Sequence, residues 1–386
     1  MSEFRTIREL CSVVVDCPHS TPKWTANGKI VIRNNNIKHG RIDFSSPSYT
    51  DDEHFAQRIK RAKPQPGDII ITREAPIGDV GMIPENTECC LGQRMVLLRA
   101  NQSVCDNFYL LYSLQSLYVQ HQISWSEGTG TTVSNLRIPH LEQIQIPYLP
   151  LEQQAKISSV LRALEEKIEN NRRLNDNLQQ QATALFSSLY DRSNTEVRFT
   201  DLIQILGGGT PKTGESTYWN GNIAFFTPKD VGTPYTLITE KTISEEGLSH
   251  CNSRLYPVNT VFVTARGTVG KVGISGVPMA MNQSCYALVG KETHQLLVYF
   301  YTLKAVDRLK HKASGAVFDA ITTRDFESEQ IMKLSDDDAK AFLCIAEPMF
   351  QKVLNNCIEN LRLSTLRDSL LPKLMSGEID VSAIQL

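Results

Sequence analysis

Residues 151–190, LEQQAKISSVLRALEEKIENNRRLNDNLQQQATALFSSLY, contain neither proline nor glycine. They are rich in Leu, Glu, Gln, Ala, Arg and Lys, which lose little on entering a helix. Ile157, Leu161, Leu164, Ile168, Asn171, Asn175, Leu178, Ala182, Leu185 and Leu189 succeed one another at alternating steps of four and three. That spacing is a heptad seam, so the helix expects a partner helix along its length. At 1.5 Å per residue it rises about 60 Å. Asn171 and Asn175 stand where the seam wants apolar residues, and buried asparagine there fixes register. Residues 336–375 read as a second long helix, with Ser335 as its cap, three aspartates in its first turn and Gly377 as its stop.

Outward from the first helix lie two segments that repeat one plan. GDIIITREAPIGDVG (Gly67–Gly81) aligns without gaps on NTVFVTARGTVGKVG (Asn259–Gly273), a shift of 192. LGQR (Leu91–Arg94) faces MNQS (Met281–Ser284), and Ile168-Glu169-Asn170 in the first helix matches Ile358-Glu359-Asn360 in the second. Residues 29–33, 68–72, 80–83, 95–99 and 143–147 read as strands between turn residues, and residues 107–124 and 296–312 as helices. A Gly/Thr/Ser loop, residues 127–135, follows the first of these helices, and SGAVFDAITTRDF follows the second. The expected fold is α+β: duplicated α/β domains at 1–150 and 192–334, alternating with long helices at 151–191 and 335–386. Two helices of one duplicated unit can lie antiparallel as a coiled coil about a pseudo-twofold axis.

The chain has 386 residues, 41% hydrophobic and 21% charged, with a formal net charge of −2. It has room for two domains. No apolar run approaches the ~18 residues of a membrane span, and MSEFRTIREL is charged where a signal peptide is apolar. A cytoplasmic protein with nine reduced, mostly buried thiols is expected. If this chain meets nucleic acid, its positive charge must be local.

Several catalytic patterns fail. GGGTPKTGES (Gly207–Ser216) has Glu215 where a phosphate loop needs lysine. Thr233-Pro234-Tyr235 lacks the acid or amide of an amino-methyltransferase motif, and no GxGxxG is present. Glu165-x-Lys167 sits inside the heptad helix and reads as solvated charge; Cys11, Cys17 and His19 have no second cluster to complete a zinc site. No metal site, catalytic set or cofactor site is expected. What remains suits binding. Asn34, Asn35 and Asn36, between Arg33 and Lys38, offer groups that read base edges, or form a polar loop. Arg58, Lys60, Arg61 and Lys63 crowd six positions and suit phosphates, or a solvated face. Arg73, Lys212, Lys229, Arg266 and Lys271 occupy loops around the strands. The glycines at 128, 130 and 315 read as hinges.

With these residues in place the chain resembles the specificity subunit of type I restriction–modification systems. The resemblance spans the whole chain: LPLEQQAKI (Leu149–Ile157), GDIIITREAPIGDVG, GGTPKTGESTYWNGNIAFFTPKDV (Gly208–Val231) and LRDSLLPKLMSGEIDV (Leu366–Val381) are similar to the family's segments, in the family's order. LSDDDAK (Leu334–Lys340) departs from the Pro-Leu-Glu-Gln start of the first helix, making the two helix starts unequal. The resemblance implies two target-recognition domains, each reading half of an asymmetric bipartite site in double-stranded DNA, with the paired helices as a ruler. It also implies a seam, Leu161, Leu164, Ile168, Asn171, Asn175, Leu178 and Leu185, that serves the helix pair or a partner. Two modification subunits would supply adenine methylation with S-adenosylmethionine, and two restriction subunits ATP- and Mg-dependent translocation and cleavage. The chain itself would catalyse nothing. Two other readings are a self-sufficient methyltransferase or endonuclease with related recognition domains, and a structural coiled coil.

Overall fold

The computed structural model describes residues 3–38, 40–125, 135–232, 234–312 and 320–382. The chain divides into two units, residues 1–167 with 363–386, and residues 168–362. Each therefore holds one sheet-bearing domain and a stretch of both long helices.

The first unit is built on an antiparallel sheet in the order Cys11–Asp16, Met95–Ala100, Ile69–Thr72, Val80–Met82. Ile69, Ile70 and Ile71 are all fully buried because both faces of this sheet are covered. Ile69 and Ile71 pack on the helices with Tyr109, Leu110 and Leu114. Ile70, on the opposite face, packs against Ile32 and Leu91 of a second sheet. That sheet runs Ser48–Thr50, Lys29–Ile32, Cys89–Leu91, with its last pair parallel. Glu3–Thr6 pairs with Gln145–Tyr148 and ties the domain's two ends together. The stretch 107–124 is two helices, Asn107–Gln115 and Leu117–Ser124. Ser116 between them is extended, and its hydroxyl accepts from the Val119 N–H at 3.4 Å, capping the second helix.

The second unit follows the same plan with one more strand. Its main sheet runs Ile203–Gly207, Cys285–Gly290, Val261–Thr264, Val272–Ser275, Tyr235–Thr236. Its smaller sheet runs Lys241–Ile243, Trp219–Phe226, Met279–Met281, again with one parallel pair. Thr195–Arg198 pairs with Gln330–Lys333, as the first domain's ends pair.

The long helices are Leu151–Asp191 and Asp336–Ser376, each of 41 residues. Ser335 caps the second through the Asp338 N–H (3.1 Å), and Gly377 at φ +75 ends it. Pro348 and Pro372 lie inside this helix, and it continues through both. In the first unit Ile157 and Leu161 share a core with Leu374 and Met375, and Glu165 pairs with Arg367 at 3.5 Å. In the second unit Asn171 meets Asn360, Asn175 meets Asn356, and Phe186 meets Phe342. Within that unit the numbers rise along one helix as they fall along the other, so the helices are antiparallel.

Leu161, Ile168, Asn171 and Asn175 are buried; Leu164, Leu178 and Leu185 are partly buried. Toward its C-terminal end the seam shifts by one residue, and Phe186, not Leu185, is fully buried. A helix of 3.6 residues per turn drifts off a 3.5 repeat, and aromatic rings fill the resulting position. Phe186 lies 4.9 Å from Phe300, 5.5 Å from Tyr301 and 5.4 Å from Phe342, ring centroid to centroid. Such pairs each add about 0.5–1.5 kcal/mol beyond area burial.

Candidate nucleic-acid interface

In the first domain the strands Cys11–Asp16, Lys29–Ile32, Ile69–Thr72 and Cys89–Leu91 bring their C-terminal ends together, and the loops leaving them are bonded to one another. The Gly92 N–H donates to the Ile32 carbonyl and the Arg73 N–H to the Arg94 carbonyl, both at 2.8 Å. Asn34 Nδ2 donates to the Glu74 carbonyl at 2.6 Å. Asn135 Nδ2 donates to Glu74 Oε1 at 2.7 Å, and Arg94 Nε lies 3.2 Å from Glu74 Oε2. Gln93 donates to the His19 carbonyl, and His19 lies 3.0 Å from Asp16.

The second domain rebuilds this frame with other residues. The Asn282 N–H donates to the Phe226 carbonyl at 3.0 Å, and the Ala265 N–H to the Ser284 carbonyl at 2.8 Å. Asn36 Oδ1 accepts from the Arg33 N–H at 2.9 Å; Asp230 Oδ2 accepts from the Thr227 N–H at 2.8 Å. Thr72 Oγ1 accepts from the Asp79 N–H, and Thr264 Oγ1 from the Lys271 N–H, each at 2.9 Å. Gly78 (φ +83) and Gly270 (φ +73) close the same turn, where a side chain would be strained. Gln283 bonds Thr210 as Gln93 bonds the residue aligned with it, His19.

Several residues expected at a DNA surface are builders of this frame instead. Asn36 is buried, and its Nδ2 donates to the Asp43 carbonyl at 3.0 Å, so both ends of its amide are used. Arg58 is 6% exposed. Its guanidinium donates to the carbonyls of Leu91 (2.7 Å), Ser20 (2.9 Å), Gly92 (2.8 Å) and Pro18 (3.2 Å), which fastens two of the loops from within. Burial lowers its pKa. Arg73 is likewise consumed, by Asp16 (2.7 Å), the Leu136 carbonyl (2.8 Å) and Asn135 (3.1 Å). These three do not read DNA from where they stand, because each is buried or nearly so and its amide nitrogen or every nitrogen of its guanidinium is already bonded to the protein.

The others divide by exposure. Arg33 and Asn35 are exposed, and the Arg33 guanidinium lies 5.1 Å from the centre of the Trp24 ring. Asn34 is half-buried. Lys38 is exposed and paired with Asp43 at 2.7 Å; that ammonium, with the Ser45 N–H, holds the Asp43 carboxyl well below the usual carboxylate range. Lys60 and Arg61 are exposed, Arg61 touching the Asp16 carbonyl at 3.3 Å, and Lys63 pairs with Glu88 at 3.0 Å. The stretch 58–63 is therefore not one cluster. In the second domain Lys212, Lys229, Arg266 and Lys271 are all exposed. Lys229 lies 3.5 Å from Glu240. Among the described residues the other three have no carboxylate within ion-pair distance. Sequence reasoning missed Arg94, Trp24 and Asn135. The loop at 127–134 and Gly315 lie outside the described residues.

The profile of the family described as "Type I restriction modification DNA specificity domain" matches residues 3–180 and again residues 192–333. The two matches cover the two duplicated domains. The chain belongs to the type I restriction–modification DNA specificity family.

Among its relatives, the MjaIX specificity subunit of Methanocaldococcus jannaschii is 23% identical, over 82% of this chain and 79% of its own. The putative MjaX specificity subunit of the same organism is 22% identical, over 98% and 94%. A type I S subunit from M. genitalium shares the fold, with a TM-score of 0.61 at 16% identity over 97% of this chain and 96% of that one. As a specificity subunit, this chain recognises DNA in a complex with other restriction–modification subunits.

Two further features fit that role. In the glycine run at 207–209, Gly208 and Gly209 are packing devices, since a Cβ on Gly208 would sit 2.3 Å from the Asn282 carbonyl oxygen and one on Gly209 2.6 Å from the Asn252 nitrogen. Glu165 is a tie, not the solvated charge expected of it. Its side chain is 12% exposed, accepts from the Tyr112 hydroxyl at 3.1 Å and pairs with Arg367. Among the described residues no group of three or more His, Cys, Asp or Glu side chains could hold a metal ion, and no helix is long and apolar enough to cross a membrane. Six of the nine cysteines are buried, and burial pushes Cys11, Cys89 and Cys285 up to about 12.

Proposed function

We propose that the loop cluster of each domain reads one half of an asymmetric, bipartite target in double-stranded DNA. The recognition heads are residues 1–150 and 192–334, and the helices between and after them set the spacer. Two modification and two restriction subunits complete the assembly in the cytoplasm. Those partners bind S-adenosylmethionine, ATP and Mg; this chain contributes recognition only.

The observation that carries this reading is the repeated frame with unrepeated side chains. Two copies of one hydrogen-bonded scaffold present Arg33, Asn35 and Arg94 in one case and Lys212, Lys229, Arg266 and Lys271 in the other. A net charge of −2 is compatible with DNA binding because these exposed cations are concentrated on loops. Base-edge contacts from such loops specify sequence, while lysines on phosphates position the domain.

Mapping methylated adenines across a genome, with and without this gene beside its modification subunit, tests the proposal. One bipartite motif that disappears with the gene is expected. Methyl transfer or cleavage by the purified chain alone would overturn it, as would a motif without two separated halves.

A further inference from the structure

We infer that Arg94 is a guanine reader of the first domain, that Glu74 is the positioning residue that aims it, and that Arg266 does the same task in the second domain from the neighbouring loop. The inference rests on the function proposed above and deepens it to single side chains.

Residues 74 and 94 stand on two loops joined by the Arg73-to-Arg94 backbone bond. Both Glu74 oxygens are engaged, Oε1 by Asn135 and Oε2 by Arg94 Nε, so the carboxylate has a fixed orientation. The Arg94 side chain is 56% exposed, and only its Nε is engaged. Its two terminal nitrogens have no partner among the described residues. A guanidinium fork presented in this way matches the O6 and N7 acceptors of guanine in the major groove. Other arginines at these loops differ: every nitrogen of Arg58 and Arg73 is bonded to the protein, Arg33 is drawn over Trp24, and Arg61 is held by Nη1 on the Asp16 carbonyl and has no carboxylate beside it among the described residues.

Two details argue that the arrangement has a purpose. Arg94 holds a left-handed backbone, φ +64, which a non-glycine residue adopts at a cost. Such outliers cluster at active sites, ligand clamps and switch regions. Glu74 also places a negative charge among loops proposed to face phosphates. That placement is unfavourable unless the charge is neutralised, and Arg94 neutralises it while being aimed by it.

The duplication supplies an independent observation. Position 74 aligns with Arg266, and position 94 with Ser284. The Arg266 N–H contacts the Ser284 carbonyl at 3.3 Å, so the two positions are neighbours in the second domain too. Arg266 is exposed, and no carboxylate pairs with it among the described residues. Among the described residues each domain thus presents, at the same junction, an arginine whose terminal nitrogens have no partner, from opposite members of the pair of loops.

The test is methylome sequencing of cells that carry the full chain, wild type or variant, with its modification subunits. Arg94→Gly keeps the backbone free to adopt its angle. It is expected to make one G·C pair of one half-site degenerate, with a loss of discrimination of about 10- to 100-fold, leaving the other half intact. Arg94→Lys keeps the charge without the fork and should give the same degenerate pair, which separates reading from folding. Glu74→Gln should relax that same G·C pair less, a base-specific readout that a merely structural role would not move. Arg266→Ala should relax a G·C pair in the opposite half. An unchanged motif in an active Arg94→Gly complex overturns the inference, and so does degeneracy at an A·T pair. A uniform loss of binding with a salt dependence shallower by about one unit would make Arg94 a phosphate contact and overturn it as well. Wild-type chain that imposes no motif would instead overturn the function on which the inference rests.

Discussion

After the strand Ile69–Thr72 the first domain places Arg73 and Glu74; after Val261–Thr264 the second places Ala265 and Arg266. The backbone bonds around these pairs are the same, yet the chemistry is inverted. Arg73 is held inside by Asp16, and the strand register aligns Asp16 with Gly207. Where the second domain has no carboxylate to neutralise, alanine suffices. The inner fastening of the loops differs in the same way. The first domain uses Arg58 on four carbonyls, and the second uses Gly208 and Gly209 so that backbones can touch directly. Position in the frame is inherited in both domains, whereas side-chain identity is free to follow whatever each domain must bind.

Arg58→Ala is the strongest way to break this comparison. It strands four carbonyls that water reaches poorly and should cost about 3–5 kcal/mol, read by denaturant unfolding. A loss under about 1 kcal/mol with a shallower salt dependence of DNA binding would return Arg58 to the phosphate contacts. Arg73→Ala alone should cost about 3 kcal/mol, because it leaves Asp16, in a mostly buried site, without its guanidinium and with only the His19 ring beside it among the described residues. Arg73→Ala with Asp16→Gly imitates the second domain and should recover much of that loss. A double-mutant cycle showing no coupling would mean the two domains are fastened on unrelated principles.

The helices offer a smaller test. Asn356 Nδ2 donates to Asn175 Oδ1 at 2.7 Å, and Asn171 Nδ2 donates to Glu359 and Asn360 at 2.8 and 2.9 Å. Asn175→Leu alone orphans the buried Asn356 and should cost about 1–2 kcal/mol. Asn175→Leu with Asn356→Leu should raise the melting temperature above wild type while loosening the helix register, as removal of a buried polar layer does. A double variant less stable than the single would refute this. The smallest effect separates free from paired cations. Lys271→Ala should reduce the salt slope of DNA binding by about 0.9, whereas Lys38→Ala, already neutralised by Asp43, should leave it nearly unchanged.

Much of this architecture was legible in the residues. The seam declared itself by its steps of four and three, and the duplication by an ungapped match around Gly78 and Gly270. Burial was the part that stayed hidden. Arg58 looks like one of four neighbouring cations, yet it lies three residues after Phe55 on the buried side of Asp52–Arg58, a spacing that could have placed it inward. Asn36 and Arg73 were misread for the same reason, since sequence does not tell whether a polar group faces water or a carbonyl. The break at Ser116 was masked by the apolar residues on both sides of it. Arg94 was visible only as the last residue of LGQR, and its importance depends on Glu74, twenty positions away.

The central claim is that two independent heads stand on one repeated frame. It is tested most directly by exchanging residues 1–149 for the matching domain of a related specificity subunit and sequencing the methylome of cells that carry the exchange with the modification subunits. The account predicts a motif with one half replaced and the other half and the spacer unchanged. A motif altered in both halves would contradict it.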